Sequence, residues 1–300
     1  MTVDPSSTSP GPLAAARPTA RTLVKTDHAA TSGGLPDGVS IQPRRFEFER
    51  LGEVPQYWFA DNPILTHVEN AFSILIPPGE RFFIQAVRNY EDRADSDESK
   101  AMIRAFAQQE GWHTGAHNEF NSSLARFGID IEREEACAKR AVDRLQSWLP
   151  KKVQLGATAF LEHLTATGAH SLFLDPEVVA LMDPEMRRFW QWHAAEELEH
   201  KAVAFDLFGQ VGGGYGLRVL SAIAAIALLA GPFGMIAHRL QKQDPNPITG
   251  EMRQQARAIN RKLLGLQLRM LADYFRPSFH PWDYNDEPFL REWYESTAGA

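Results

Sequence analysis

The chain has 300 residues, and its 44% hydrophobic and 23% charged residues are typical of a globular protein rather than a disordered or fibrous one. Its 31 basic and 38 acidic side chains give a net charge of −7, and no run of Lys and Arg offers a surface for nucleic acid. The single cysteine, Cys137, excludes an internal disulfide framework and any multi-thiolate metal site, so we expect a cytoplasmic protein.

The N-terminal third of the chain changes character twice. Residues 1–38 are rich in Ser, Thr, Pro, Gly and Ala without apolar periodicity, which predicts a disordered tail. Residues 42–61 mix charges with aromatic side chains, as in an extended lead-in that packs onto larger elements. Asn62-Pro63 is a typical helix start, and Pro77-Pro78-Gly79 predicts a kink or a new helix near Gly79.

The rest of the chain is predicted to be helical almost throughout, since no alternating β-branched run is bounded by hairpin residues. The fold class is therefore all-α. We expect one helical domain over 39–285 and a C-terminal tail over 286–300. The predicted helices cover 79–94, 97–126, 131–148, 150–173, 177–209, 216–241 and 247–275.

Glu and His recur on these helices at spacings that place them on one face. On the second helix, Glu110, His113 and His117 fall within roughly 60° of arc. The Glu-x-x-His pattern recurs about 87 residues later, where the flanking positions are again apolar or small. There the residues that fall within about 100° of arc are His193, Glu196, Glu197 and His200.

Together with single acids on two other helices, this pattern is the ligand set of a carboxylate-bridged dimetal site in a four-helix bundle. Burying so many unpaired ionisable groups would cost several kcal/mol each, roughly, and two metal ions remove that cost. His193 is either a seventh ligand or a hydrogen-bond donor to one. The predicted ligands are Glu80, Glu110, His113, Glu162, His193, Glu197 and His200.

Other interpretations of these residues stay open at this stage. A polar core without metal would also bury the set, and Glu80 near a predicted helix start could merely complement the helix dipole, with Glu69 as the substitute ligand. Glu199 is predicted to be a solvated surface charge. His163 points about 100° away from Glu162 and is predicted to be structural.

Four stretches resemble a bacterial ferritin-like family commonly described as predicted metal-dependent hydrolases. They are NPILTH at 62–67, GERFF at 79–83, WHAAEELEHKAVAFD at 192–206 and FHPW at 279–282. The resemblance extends over residues 42–285 and implies a ferritin-like four-helix bundle with additional helices. The ligand set is also similar to that of the di-iron p-aminobenzoate N-oxygenases, which have an extra His four residues before the last Glu; this implies that His193 is a ligand.

Carboxylate-rich ligand sets favour iron or manganese over zinc, so we expect two iron ions, with Mn or Zn as alternatives. The favoured function is O₂-dependent oxidation of a small organic substrate, which also needs an electron donor. The alternative is a dimetal hydrolase in which a bridging hydroxide is the nucleophile and Glu196 or His117 moves protons. A non-catalytic helical scaffold is the third possibility.

Two further segments bear on the substrate. The apolar helix at 217–240 contains nineteen uncharged residues, 219–237, which is the threshold for a membrane span. A buried core helix, contact with a membrane surface and a true span are all open. On the face of Glu162, small side chains predict either a substrate channel or close helix packing, and these are Thr158, Ala159, Thr165, Ala166 and Ala169.

Overall fold

The computed structural model describes residues 35–36 and 38–297, so nearly all of the predicted N-terminal tail lies outside the described residues. The described part is all-α, as predicted, and contains no β-strand beyond an isolated bridge between Phe59 and Met182. The helices are α1 (Pro63–Arg88), α2 (Asp97–Ser123), α3 (Ile131–Trp148), α4 (Lys151–Leu174), α5 (Pro176–Val179), α6 (Pro184–His200), α7 (Val203–Gln210), α8 (Tyr215–Gln243), α9 (Gly250–Asp273) and α10 (Glu287–Thr297).

Helix α1 runs without interruption through Pro77 and Pro78, so the new helix predicted to begin near Gly79 is wrong, while the alternative of a kink stays a prediction. A proline has no N–H to donate, and Pro77 therefore leaves the carbonyl of Ser73 without its helical partner. The side-chain amide of Asn121 on α2 donates to that carbonyl at 3.1 Å. A long-range contact thus replaces the missing helical hydrogen bond.

The single helix predicted over 177–209 is instead three helices, α5, α6 and α7. Asp183 caps α6, because its side chain accepts from the N–H of Glu185 and Pro184 occupies the first helical position. The chain turns again at Lys201, whose buried amine donates to Tyr284 O at 2.7 Å and to Asp286 at 2.6 Å. These contacts fix the end of α6 against the C-terminal segment.

Four helices enclose one polar interior. Helix α1 packs along α2 and contacts α4, while α6 packs along α4 and contacts α2. Helices α3, α7, α8 and α9 pack around this group, mainly on α1 and α4. The four central helices are the ones that carry the predicted ligands, although the ferritin-like topology itself stays a prediction.

The C-terminal part of the chain covers the central helices from outside. Trp282 is buried, and the segment expected to be a tail contains α10, whose Phe289, Leu290 and Trp293 are buried. Helix α8 is long and apolar enough to cross a membrane by length and composition, and only 22% of its most apolar window is buried. It is therefore not the buried core helix that was one of the predicted alternatives.

Candidate metal centre

The seven predicted ligands converge inside the four central helices. Glu80 comes from α1, Glu110 and His113 from α2, and Glu162 from α4, and α6 supplies the other three. Ligand atoms of Glu80, His113 and His193 lie within 4.8 Å of one another, and so do those of Glu110, Glu197 and His200. The helical spacing on α2 and α6 therefore brings these side chains together, as the sequence pattern predicted.

Glu197 joins the two groups, because each of its oxygens faces a different one. Its Oε1 lies 3.1 Å from His193 Nε2 and 3.8 Å from His113 Nδ1. Its Oε2 lies 3.5 Å from His200 Nε2. A carboxylate in this position can bridge two metal ions.

The other carboxylates complete the two groups. Glu80 Oε1 lies 3.5 Å from His113 Nδ1, and its Oε2 accepts from Thr114 Oγ1 at 2.8 Å. His200 Nε2 lies 3.1 Å from Glu110 Oε1 and 3.2 Å from Glu162 Oε2. Glu80 lies in the interior of α1, so a helix-dipole role does not explain it.

Many of the polar atoms that face the interior of this centre are buried without hydrogen bonds. All seven side chains are at most 3% exposed. Among the described residues, neither carboxylate oxygen of Glu110 or of Glu162 has a hydrogen-bond partner. The same is true of four atoms that face them, namely Glu80 Oε1, His113 Nδ1, His193 Nε2 and His200 Nε2. Buried polar groups are rarely left unpaired in proteins, and a cluster of carboxylate and imidazole atoms of this kind fits metal ions.

Without cations, burial and the neighbouring charged groups shift the pKa values of the buried carboxyl groups in opposite directions. Burial, together with Glu110, raises the pKa of Glu80 well above its usual value, and burial also raises that of Glu162. Burial opposes ionisation of Glu197 too, but His200 and His193 hold the pKa of that carboxyl well below its usual range. Metal ions would replace the protons that such a cluster otherwise retains.

The outward nitrogen of each of the three predicted histidine ligands lies near a polar group that bears on its tautomer. His193 Nδ1 lies 3.1 Å from His117 Nε2, and His117 Nδ1 lies 2.7 Å from Ser73 Oγ, which donates to Asn121. If each ring donates outward along this chain, His193 Nε2 keeps its lone pair toward the centre. A metal ligand needs that protonation state.

His200 has such an outward hydrogen bond, and His113 has a carboxylate oxygen near its outward nitrogen. His200 Nδ1 lies 2.9 Å from Gln109 Oε1, and His113 Nε2 lies 3.1 Å from Glu196 Oε2. Burial and the neighbouring Glu199 raise the pKa of Glu196 to about 8. His117 and Glu196, the residues predicted to move protons, thus contact the outer nitrogens of ligands, and their catalytic role stays a prediction.

Glu199 is completely buried, so the prediction of a solvated surface charge is wrong. Its carboxylate accepts hydrogen bonds from Gln109 at 2.7 Å, Arg44 Nη1 at 2.7 Å and Tyr294 at 2.6 Å. Gln109 therefore connects Glu199 to His200. Sequence reasoning missed Gln109 altogether, although any ligand on α6 needs a partner for its outer nitrogen and Gln109 is the neighbour of Glu110.

The remaining candidates lie away from the ligands. His163 Nε2 lies 2.9 Å from Met270 O on α9, which agrees with the structural role predicted for it. Glu69 is on the same face of α1 as Glu80 but three turns earlier, about 16 Å along the helix axis. Glu80, and not Glu69, therefore faces the other predicted ligands.

A cavity of about 110 Å³ reaches the centre from one side. Its inner wall includes His193, Glu197 and Thr165, whose hydroxyl donates to Glu197. Gly168 and Ala169 also line it, so small residues on α4 leave space at these positions. A small organic molecule in this cavity would contact the ligand side chains directly.

One family model matches the chain, and its description is "predicted metal-dependent hydrolase". The match covers residues 42–285, which include every residue of the centre and of the cavity. No curated protein and no solved structure matches the chain.

Proposed function

Since the chain belongs to the predicted metal-dependent hydrolase family, we propose that it hydrolyses a small organic substrate at a dinuclear metal centre. The observation that carries the proposal is Glu197, whose two oxygens face two separate groups of buried ligand atoms. The family description favours this alternative over the O₂-dependent oxidation that the ligand pattern first suggested.

The proposed ligands divide between two ions. When bound, such ions would supply a water molecule of lowered pKa and would polarise the bond to be hydrolysed. The carboxylates favour hard ions such as iron or manganese. The residues that would hold them are Glu80, Glu110, His113, Glu162, His193, Glu197 and His200.

Glu196 and His117 would act through the ligands that they contact. Glu196 Oε2 lies 3.1 Å from His113 Nε2, and a proton held on that nitrogen would leave Nδ1 free to bind a metal ion. His117 would do the same for His193, whose Nδ1 lies 3.1 Å from His117 Nε2, when that nitrogen accepts the proton. Neither residue is among those that line the cavity, so we propose that both position ligands rather than touch substrate.

Metal content and chromogenic hydrolysis together test the proposed function. Protein purified from cells supplemented in turn with iron, manganese or zinc should hold about two ions per chain and should hydrolyse at least one nitrophenyl ester, amide or phosphate. Glu197→Ala should lose both properties, whereas Glu119→Ala, at an exposed position, should keep them.

Two outcomes would contradict the proposal. Two irons that develop oxo-to-iron absorption on exposure to O₂, without hydrolysis of any probe, would support the oxidative alternative. Absence of bound metal, with no thermal shift on adding any of the three ions, would leave the buried residues as a structural polar core.

We also propose that the protein binds a membrane surface through α8 and α9. Exposed residues on α8 form an uncharged apolar face that includes Leu220, Ile223 and Ile226. On α9, three exposed arginines and two exposed leucines fall within about 80° of arc. They are Arg253, Arg257, Arg261, Leu264 and Leu268. This combination is complementary to an anionic lipid surface.

A further inference from the structure

The cavity beside the metal centre has aromatic and aliphatic walls. Phe59, Phe72 and Trp190 supply aromatic surface, and the rings of Phe72 and Trp190 are stacked with centroids 6.0 Å apart. The aliphatic lining comes from several elements, including α9. It consists of Leu172, Val178, Val179, Met182 and Leu263. Such walls favour a molecule with an apolar body.

Glu69 adds a carboxyl group to this lining. No hydrogen bond or ion pair to its carboxyl group exists among the described residues, and burial raises its pKa to about 7. The other carboxylate away from the ligands is already paired, because Asp175 lies 2.8 Å from Lys262 Nζ and caps α5. Glu69 is thus the available acid of the cavity.

Two hydroxyl groups in the cavity wall are also occupied. Ser171 Oγ donates to Thr167 O at 2.9 Å, and the Thr165 hydroxyl donates to Glu197. Glu69 lies about 16 Å along α1 from Glu80, too far to bind the same ion. Its carboxylate is therefore placed to contact a ligand in the cavity and not the metal.

A carboxylate that shares a cavity with aromatic rings has the chemistry of an ammonium site. Aromatic faces attract cations, most strongly those of Trp, and an ionised carboxylate forms a charge-assisted hydrogen bond with an N–H donor. An anion or a neutral apolar group would leave Glu69 buried and unpaired. The lining thus discriminates in favour of a cation.

We propose that Glu69 and the aromatic rings around it bind the ammonium group of the substrate, while another part of the same molecule reaches His193 and Glu197 at the inner wall. The substrate class is then a small organic amine with an apolar body. This inference rests on the proposed function for the reaction, but the amine site itself does not require bound metal.

Binding of benzylammonium chloride, compared with benzyl alcohol as a neutral probe of similar shape, tests the site by isothermal titration calorimetry. Wild-type protein, both metal-free and metal-loaded, should bind benzylammonium at least about tenfold more tightly than benzyl alcohol. Glu69→Gln should lose that preference without changing the affinity for benzyl alcohol. Glu119→Gln removes an exposed carboxylate and should behave as wild type.

A second variant keeps the test valid if Glu69→Gln does not fold. Phe72→Leu retains apolar volume but removes one aromatic face, and it should weaken benzylammonium binding more than benzyl alcohol binding. Equal affinities of wild-type protein for the two probes, or unchanged discrimination in both variants, would overturn the proposal. Discrimination without hydrolysis would instead contradict the proposed reaction and leave the amine site standing.

Discussion

Among single residues, Glu69 carries a carboxyl group whose pKa is raised by burial from 4.5 to about 7. The folded state therefore holds this proton where the unfolded state has lost it. Stability contributed by the neutral form falls as pH rises above 4.5, and up to about 3 kcal/mol is lost once pH passes 7. Glu69→Gln should thus be more stable than wild type at pH 8 and similar at pH 5 in urea unfolding. Lower stability of the variant at pH 8 would contradict the unpaired state of Glu69.

Gln109 is a second single residue with a testable role, because its side chain accepts a hydrogen bond from His200 and donates one to Glu199. Gln109→Leu removes both hydrogen bonds but preserves approximate volume. We expect metal affinity to fall about 10- to 100-fold, as measured by competition with a chromogenic chelator. Gln108→Leu, at the exposed neighbouring position of α2, is the matched control and should leave affinity unchanged. Equal affinity of both variants would show that His200 needs no fixed orientation.

Between elements, Asn121 links α2 to the proline-containing part of α1. Its amide donates to Ser73 O, and its Oδ1 accepts from the Ser73 hydroxyl that contacts His117. Asn121→Ala leaves a buried carbonyl unpaired, so we expect about 1–3 kcal/mol of destabilisation in chemical denaturation. Asn118→Ala, at an exposed site on the same helix, should change stability by less than about 0.5 kcal/mol. Similar losses in both variants would contradict the role given to Asn121.

Local spacing predicted the helices and the shared faces of the predicted ligands because the interactions that create them are local. Glu110 and His113, or Glu197 and His200, share a helix face whatever surrounds them. The wrong predictions concern residues whose partners are remote in sequence. Glu199 is buried by Gln42, Arg44 and Tyr294, which lie 157, 155 and 95 residues away. Pro77 is tolerated in a helix because the Asn121 amide donates to the carbonyl that Pro77 leaves without a partner. Neither this hydrogen bond nor the contacts of Glu199 produce a periodic pattern in the sequence.

For the whole molecule, the arrangement of α8 favours surface contact over a membrane span. Helix α8 packs along α4, and α9 returns to α4 and α1 after it. Both ends of α8 therefore belong to one packed body, whereas a span would place α9 and α10 on the far side of the membrane. The cavity is lined by Leu263 and Gln267 of α9, next to the exposed Leu264 and Leu268. An amine with an apolar body would concentrate at the lipid surface beside this wall of the cavity.

Co-sedimentation with vesicles tests the proposed contact of α8 and α9 with a membrane surface. The protein should bind vesicles that contain phosphatidylglycerol more strongly than pure phosphatidylcholine, since each Lys or Arg near an anionic surface contributes about 1 kcal/mol, and added salt should weaken the difference. Ile223→Glu combined with Leu268→Glu should abolish binding to both kinds of vesicle, because it places charges in the apolar faces of α8 and α9. Gln108→Glu adds a charge elsewhere and should bind as wild type. A soluble dimer that Ile223→Glu converts to monomer, without vesicle binding by wild type, would instead identify this face as a contact between two copies of the chain.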